Sequence, residues 1–179
     1  MDLSDKKTII GILQANGLYA KKRFGQNFLI NRQELEKIVT TGKIEKTDNV
    51  IEIGPGLGVL TQKLLQKAKK VICLELDRNI IPILKLNLSD AKNLEIINID
   101  ALKFIPPKME YKIVANIPYY ITSPILNHFL QVENKPKSIT LLVQKEVAEK
   151  ICMKDGKQSI LSLEVALFGT PKIISRISA

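Results

Sequence analysis

The residues with the most chemical potential in this sequence stand at the ends of short apolar runs. Glu52-Ile53-Gly54-Pro55-Gly56-Leu57-Gly58 closes the first of them. Glycines at alternating positions let the main chain turn sharply and approach a ligand, and a helix beginning there would offer free N–H groups. A strand-to-helix turn also needs glycine for steric reasons alone. The spacing is GxGxG rather than the GxGxxG of dinucleotide folds, which argues against a clamped pyrophosphate. Leu74-Glu75-Leu76-Asp77 follows at the separation, about 20 residues, that brings a carboxylate to a ribose in a doubly wound fold. Glu75 can accept from both ribose hydroxyls and is the expected ligand, whereas Asp77 reads better as a residue complementing a helix dipole. In Ile99-Asp100-Ala101, Asp100 could accept from an exocyclic amine and Ala101 leaves room for a flat ring. Taken alone, Asp100 reads as a loop or cap residue. Asn116-Ile117-Pro118-Tyr119 ends a fourth run, and its bland explanation is a proline turn with an Asn cap and an aromatic plug.

For these residues to meet, the runs must lie side by side. Strands are expected at 49–53, 71–74, 94–99, 113–115 and 139–143, with a sixth at 172–177. Helical spacing is expected in a first helix ending at Gly17, then over 32–41, 59–70 and 79–88, with further helices between the later strands. Near-continuous apolar strands joined by helices indicate an α/β fold, a mostly parallel sheet covered on both faces. Ligands of such sheets bind at the carboxyl ends of the strands, where the residues above are found.

The 179 residues, 45% hydrophobic and 25% charged, suit one globular domain with a real core. Every apolar run is broken well before the roughly 18 residues of a membrane span. The start, Lys6-Lys7 followed by Thr8 to Leu13, resembles a signal peptide, but Gln14 and Asn16 end the apolar stretch too early. Cys73 and Cys152 have neither CxxC spacing nor a ligand cluster, so two reduced thiols in a cytosolic protein are expected, with no metal site. His128 lacks a partner pattern and reads as a helix residue outside catalysis. The net charge of +9 avoids the motifs: residues 26–60 carry −1 and 93–130 carry 0. Lys21-Lys22-Arg23 is the densest basic cluster, either a solubilising run or a contact for a phosphate backbone.

Asn-Ile-Pro-Tyr after a fourth strand resembles the catalytic motif of amino-directed, S-adenosylmethionine-dependent nucleic acid methyltransferases. Together with Gly25-Gln26-Asn27-Phe28-Leu29, Glu52-Ile53-Gly54-Pro55-Gly56, Glu75-Leu76-Asp77, Asp100-Ala101 and Leu142 to Val147, it resembles the KsgA-type rRNA adenine dimethyltransferases. These modify two adjacent adenosines near the 3′ end of small-subunit rRNA. The resemblance runs from about Tyr19 to the last residue.

It implies a Rossmann-like methyltransferase fold and S-adenosylmethionine as cofactor, contacted by Asn27, Leu29, Gly54, Glu75, Asp100 and Asn116, with Gln26, Gly56 and Ala101 close by. The Asn116 side-chain oxygen and the Pro118 carbonyl would each accept one N–H of the adenine amine, aiming its lone pair at the methyl group. Tyr119 would stack on the flipped base, and Tyr120 is expected mainly to pack. No general base is required, because the nitrogen becomes cationic on methylation and its proton can leave to water. Lys21, Lys22 and Arg23 would contact RNA, and the partner would be small-subunit rRNA or the immature subunit, met in the cytoplasm by a monomer.

The expected division is an N-terminal helix and basic loop over 1–24 and a cofactor-binding domain over 25–179. Relatives of this kind continue into a Phe-x-Pro-x-Pro-Lys-Val segment, a last antiparallel strand and a helical domain, none of which is in the sequence. The expectation is a truncated chain that binds cofactor but is impaired in catalysis. A large-subunit dimethyltransferase of the antibiotic-resistance type and a non-catalytic ribosome-assembly factor are the alternatives, with a nicotinamide dehydrogenase a distant third.

Overall fold

Among the residues described by the computed structural model (3, 5–16, 32–153, 156 and 158–177), five strands form one parallel sheet. They are β1 (Asn49–Ile53), β2 (Lys70–Glu75), β3 (Leu94–Asn98), β4 (Lys112–Asn116) and β5 (Ser138–Leu142), in the order β3-β2-β1-β4-β5. The helices are α1 (Lys6–Ala15), α2 (Arg32–Thr41), α3 (Val59–Lys67), α4 (Ile81–Asn87), α5 (Thr122–Gln131), α6 (Lys145–Ile151) and α7 (Ile160–Phe168). None is long and apolar enough to cross a membrane. The chain moves outward from β1 through β2 to β3, then returns to build β4 and β5 on the other side. This reversal opens a crevice beyond the carboxyl end of β1, where the connections leave in opposite directions.

Alternating residues of the central strands feed two cores. Val50, Val71, Cys73 and Val114 face one side, where they join Leu35 of α2, Leu60 and Leu64 of α3 and Leu84 of α4. Leu3, ahead of α1, and Ile9 within it are fully buried in this same cluster. Ile51, Ile53, Ile72, Leu74 and Ile113 face the other side against Phe104, Tyr111, Ile125 and Phe129. His128 joins this second layer: its Nε2 lies 2.8 Å from the Phe104 carbonyl and its ring meets Phe129 edge-on. Both cysteines are free, Cys73 fully buried and Cys152 partly so.

Several element ends differ from the expected ones for local reasons. The third helix stops at Lys67 because the Lys69 N–H already bonds the Asp48 carbonyl at 2.8 Å, starting the path into β2. The fourth begins at Ile81, since Asp77 first organises a turn by accepting from Asn79 N at 2.9 Å and, through its carbonyl, from Ile80 N at 3.1 Å. The expected sixth strand is absent among the described residues, and 172–177 is irregular. β-Branched residues favour an extended backbone, but a strand also needs a neighbouring ladder for its N–H and C=O groups. This segment instead lies by α6, where Arg176 Nη2 donates to Glu149 Oε1 at 3.1 Å.

Gly58 stands just before α3 at φ +92°, and a Cβ there would stand 2.8 Å from Leu84 Cδ1 and 2.9 Å from Leu88 Cδ1. Left-handed backbone and close packing therefore both require glycine. The other exacting position is Glu52, only 2% exposed within β1. Cys73 Sγ lies 3.6 Å from its Oε2, and Thr61 of α3 supplies a further hydrogen bond. Burial pushes the carboxyl up from 4.5 to about 7; the bonds from Thr61 and Cys73 oppose this and the Glu75 carboxylate adds to it.

Two outcomes are expected. Gly58→Ala should lower unfolding free energy by ~2–4 kcal/mol in urea titration, combining a left-handed Cβ penalty with overpacking. Glu52 holds its proton to higher pH in the folded chain than in the unfolded one, so its contribution is complete below about pH 4.5 and is lost as pH rises through about 7. Glu52→Gln should therefore match the unaltered chain near the acid end and exceed it above pH 7 by on the order of 3 kcal/mol. Parallel stability curves for the two proteins would remove the basis for this assignment.

Candidate functional site

The carboxyl ends of β1, β2 and β4 and the turn after β3 surround a cavity of about 300 Å³, at the lower end of the size range of small-molecule sites. At the end of β1 the chain must leave the ladder and enter α3 within a few residues. Gly54, Gly56 and Gly58 do this with φ of +67°, +57° and +92°. The Gly54 N–H completes the β2 ladder on the Leu74 carbonyl at 3.0 Å, and the Gly58 N–H closes a turn on the Pro55 carbonyl at 3.0 Å. A Cβ placed on Gly54 would find no atom within 4 Å, so the turn leaves open space on its cavity side.

Glu75, last in β2, is 7% exposed. Its Oε2 accepts from Gly56 N at 3.2 Å and its Oε1 from Asp77 N at 2.8 Å. The glycine turn and the chain leaving β2 thus hold one carboxylate by both oxygens, each with lone-pair capacity to spare. Desolvation raises its pKa, while the backbone N–H groups of Asp77, Gly56 and Leu76 pull it down.

Asp100 follows β3 and caps the 3-10 turn Ala101–Lys103, its Oδ1 accepting from Leu102 N at 3.0 Å. It lines the cavity as well, as does Ala101. Asn116 ends β4, paired with Leu142 of β5, and with Pro118 it forms the opposite wall. The Pro118 carbonyl accepts from Ile121 N at 3.3 Å and, at 3.5 Å, from the hydroxyl of the fully buried Thr122. Tyr119 opens the 3-10 turn Tyr119–Ile121 between β4 and α5. Tyr120, expected to pack, is instead 53% exposed and borders the cavity.

Of the residues expected at the site, Gly54, Gly56, Glu75, Asp100, Ala101, Asn116 and Pro118 line this one cavity. Gln26, Asn27 and Leu29, and the basic Lys21, Lys22 and Arg23, lie outside the described residues. The lining also includes Glu52, which sequence reasoning passed over. Its signal was an acidic residue inside an otherwise apolar strand, a position that is costly unless hydrogen-bonded.

The donor set narrows the ligand. Glu52, Glu75, Asp77 and Asp100 line the cavity, and no Lys or Arg is among the described lining residues. Such a wall would repel the doubly charged pyrophosphate of a dinucleotide and favours a cationic or neutral ligand. Leu76, Leu102 and Ile125 add apolar surface. A buried carboxylate for a diol, open space over Gly54, apolar walls for a flat ring and acidic surroundings for a sulfonium fit S-adenosylmethionine.

Comparison with known proteins agrees with this geometry. A family profile described as ribosomal RNA adenine dimethylase matches residues 17–177. The ribosomal RNA small subunit methyltransferase A of Dehalococcoides mccartyi is 41% identical over 169 residues, 92% of this chain and 58% of that protein's length. Among solved structures, the 23S rRNA methyltransferase ErmE aligns with a TM-score of 0.72 and 34% identity, over 76% of this chain and 56% of the other. A dimethyladenosine transferase from Plasmodium falciparum aligns with a TM-score of 0.69 and 38% identity, over 76% and 51% respectively. With a profile match over most of the sequence, relatives at these identities and a Rossmann-like methyltransferase fold, the chain belongs to the ribosomal RNA adenine dimethylase family.

Proposed function

We propose that this chain is the cofactor-binding and catalytic part of an S-adenosylmethionine-dependent enzyme that dimethylates N6 of two adjacent adenosines near the 3′ end of small-subunit rRNA, in the cytoplasm and on the immature subunit. The observation that carries the reading is the meeting of the glycine turn, Glu75, Asp100 and the Asn116-Pro118 wall around one acidic cavity. Curated relatives named as small-subunit methyltransferases support that choice of substrate.

In this reading the chain's own groups bind, orient and exclude water. Glu75 accepts from the ribose hydroxyls, its aim fixed by Gly56 N and Asp77 N. Asp100 takes the adenine end, with Ala101 leaving room for the ring. Bound there, S-adenosylmethionine supplies an electrophilic methyl group on a sulfonium. Asn116 Oδ1 and the Pro118 carbonyl receive the two N–H groups of the target amine, which withdraws its lone pair from the ring and directs it. Tyr119 stacks on the extruded base, offsetting part of the few kcal/mol that unstacking costs. Lys21, Lys22 and Arg23 contact the phosphate backbone, and Asn27 and Leu29 complete the cofactor site with Gln26 beside them.

The decisive experiment is transfer of a labelled methyl group to isolated ribosomal subunits lacking the modification, with N6,N6-dimethyladenosine read by mass spectrometry. Label on small subunits is expected, at a reduced rate in keeping with the impaired catalysis expected of this chain. Label confined to large subunits would favour the second reading, which the alignment with a 23S rRNA methyltransferase brings forward. Binding without any cofactor dependence would favour an assembly factor.

Two variants separate the roles. Glu75→Ala should weaken S-adenosylhomocysteine at least ~10-fold in calorimetry, the loss expected for removing charge-assisted hydrogen bonds. Asn116→Ala should slow methyl transfer by about 100-fold, a typical cost of mispositioning, with a smaller effect on cofactor affinity. Unchanged turnover in the second variant would refute the amine-directing role.

A further inference from the structure

Asn98, the last residue of β3, has an exposed position yet its side chain makes three hydrogen bonds. Nδ2 donates to the carbonyl of Glu75 at 2.8 Å and to that of Leu76 at 3.3 Å. Oδ1 accepts from Arg78 Nε at 3.0 Å. A guanidinium can only donate, so Arg78 fixes which end of the amide is oxygen and leaves Nδ2 facing the two carbonyls.

The location gives these bonds their consequence. Glu75 and Asn98 are register partners at the last step of the β2–β3 ladder, where the Ile99 N–H bonds the Glu75 carbonyl at 3.1 Å. Beyond that step β2 has no further backbone partner in β3, and an untied strand end would fray. Asn98 prolongs the ladder with its side chain by one residue, up to Leu76. It thereby holds the backbone from which the Glu75 carboxylate extends. Asn98 is also two residues from Asp100, so one side chain couples the two strand ends that carry the acidic groups of the cavity.

We propose that Asn98, with its amide oriented by Arg78, is a positioning residue that aims Glu75 at the ribose and so sets the cavity's preference for a ligand with intact ribose hydroxyls. The proposal rests on the reading of the cavity as an S-adenosylmethionine site. It adds a residue whose contacts are all with protein.

The test uses calorimetry on the full chain with two probes, S-adenosylhomocysteine and its 2′-deoxyribose analogue. In the unaltered chain the analogue should bind about tenfold more weakly, the loss of one good hydrogen bond. Asn98→Ala should weaken S-adenosylhomocysteine about tenfold while changing the analogue little, so that the preference between them collapses. Arg78→Ala should move both affinities in the same pattern by a smaller factor. It also serves if Asn98→Ala fails to fold, as judged by thermal unfolding. Retention of the full preference in a folded Asn98→Ala chain, or in Arg78→Ala where that chain does not fold, overturns the proposal. An equal loss for both probes also overturns it, because general loosening would not discriminate between them. If the unaltered chain binds neither probe, the cofactor reading itself falls and takes this inference with it; if it binds both and the variants match it, only this inference falls.

Discussion

The site depends on one carboxylate fixed from two directions. Glu75 accepts from the N–H of Gly56 across the strand boundary and from that of Asp77 along its own chain. A side chain with several rotatable bonds is thereby held as firmly as the sheet edge that carries it. The glycine turn at the end of β1 consequently has two jobs. It leaves open space over Gly54, and through Gly56 it orients the carboxylate proposed to meet the ligand. Moving either strand end would disturb both, which is why the register of β1 against β2, with Ile53 opposite Leu74, matters to chemistry one residue further on.

Much of this was legible in the sequence because it rests on local rules. Strand β1 and helix α2 have the expected bounds, since an apolar run ending in glycine and a three-to-four residue apolar spacing each have one favourable solution. Gly54, Gly56, Glu75, Asp100, Ala101, Asn116 and Pro118 converge because all lie at carboxyl ends of parallel strands, and that edge is where the order reversal opens the sheet. What was not legible depends on partners distant in sequence. The run 172–177 has strand-forming residues, but its backbone lacks a ladder among the described residues, and no single-sequence rule reports that. The buried contacts of Glu52 with Cys73 and Thr61 require the packing of α3 over β1 and β2. Exposure of Tyr120 follows from a 3-10 turn whose geometry is set by Pro118 and Thr122 together.

Charge is divided between the cavity and the rest of the chain. The net charge of +9 would draw the protein to any polyanion, yet the described lining of the cavity carries four acidic residues and no basic one. For the proposed reaction this separation is physically apt. Phosphate backbone is attracted to the outer surface but repelled from the pocket itself, whereas a sulfonium is favoured inside it. Burial pushes the Glu52 carboxyl up to about 7 and pushes Glu75 upward as well, the latter against the pull of its backbone N–H donors.

The Pro118 carbonyl poses the sharpest geometric demand. An sp2 oxygen offers two lone pairs, and here they meet Ile121 N at 3.3 Å and the Thr122 hydroxyl at 3.5 Å, both long for their type. Strong bonds at those positions would leave nothing for a substrate amine. Long ones hold the carbonyl in place while keeping much of its accepting strength. Thr122 is fully buried at the start of α5, so its hydroxyl moves only as its rotamer allows, and a rotation that released the oxygen would need another acceptor nearby. For the acceptor role proposed here, the turn is suited to staying fixed between turnovers while still yielding to a stronger donor during one.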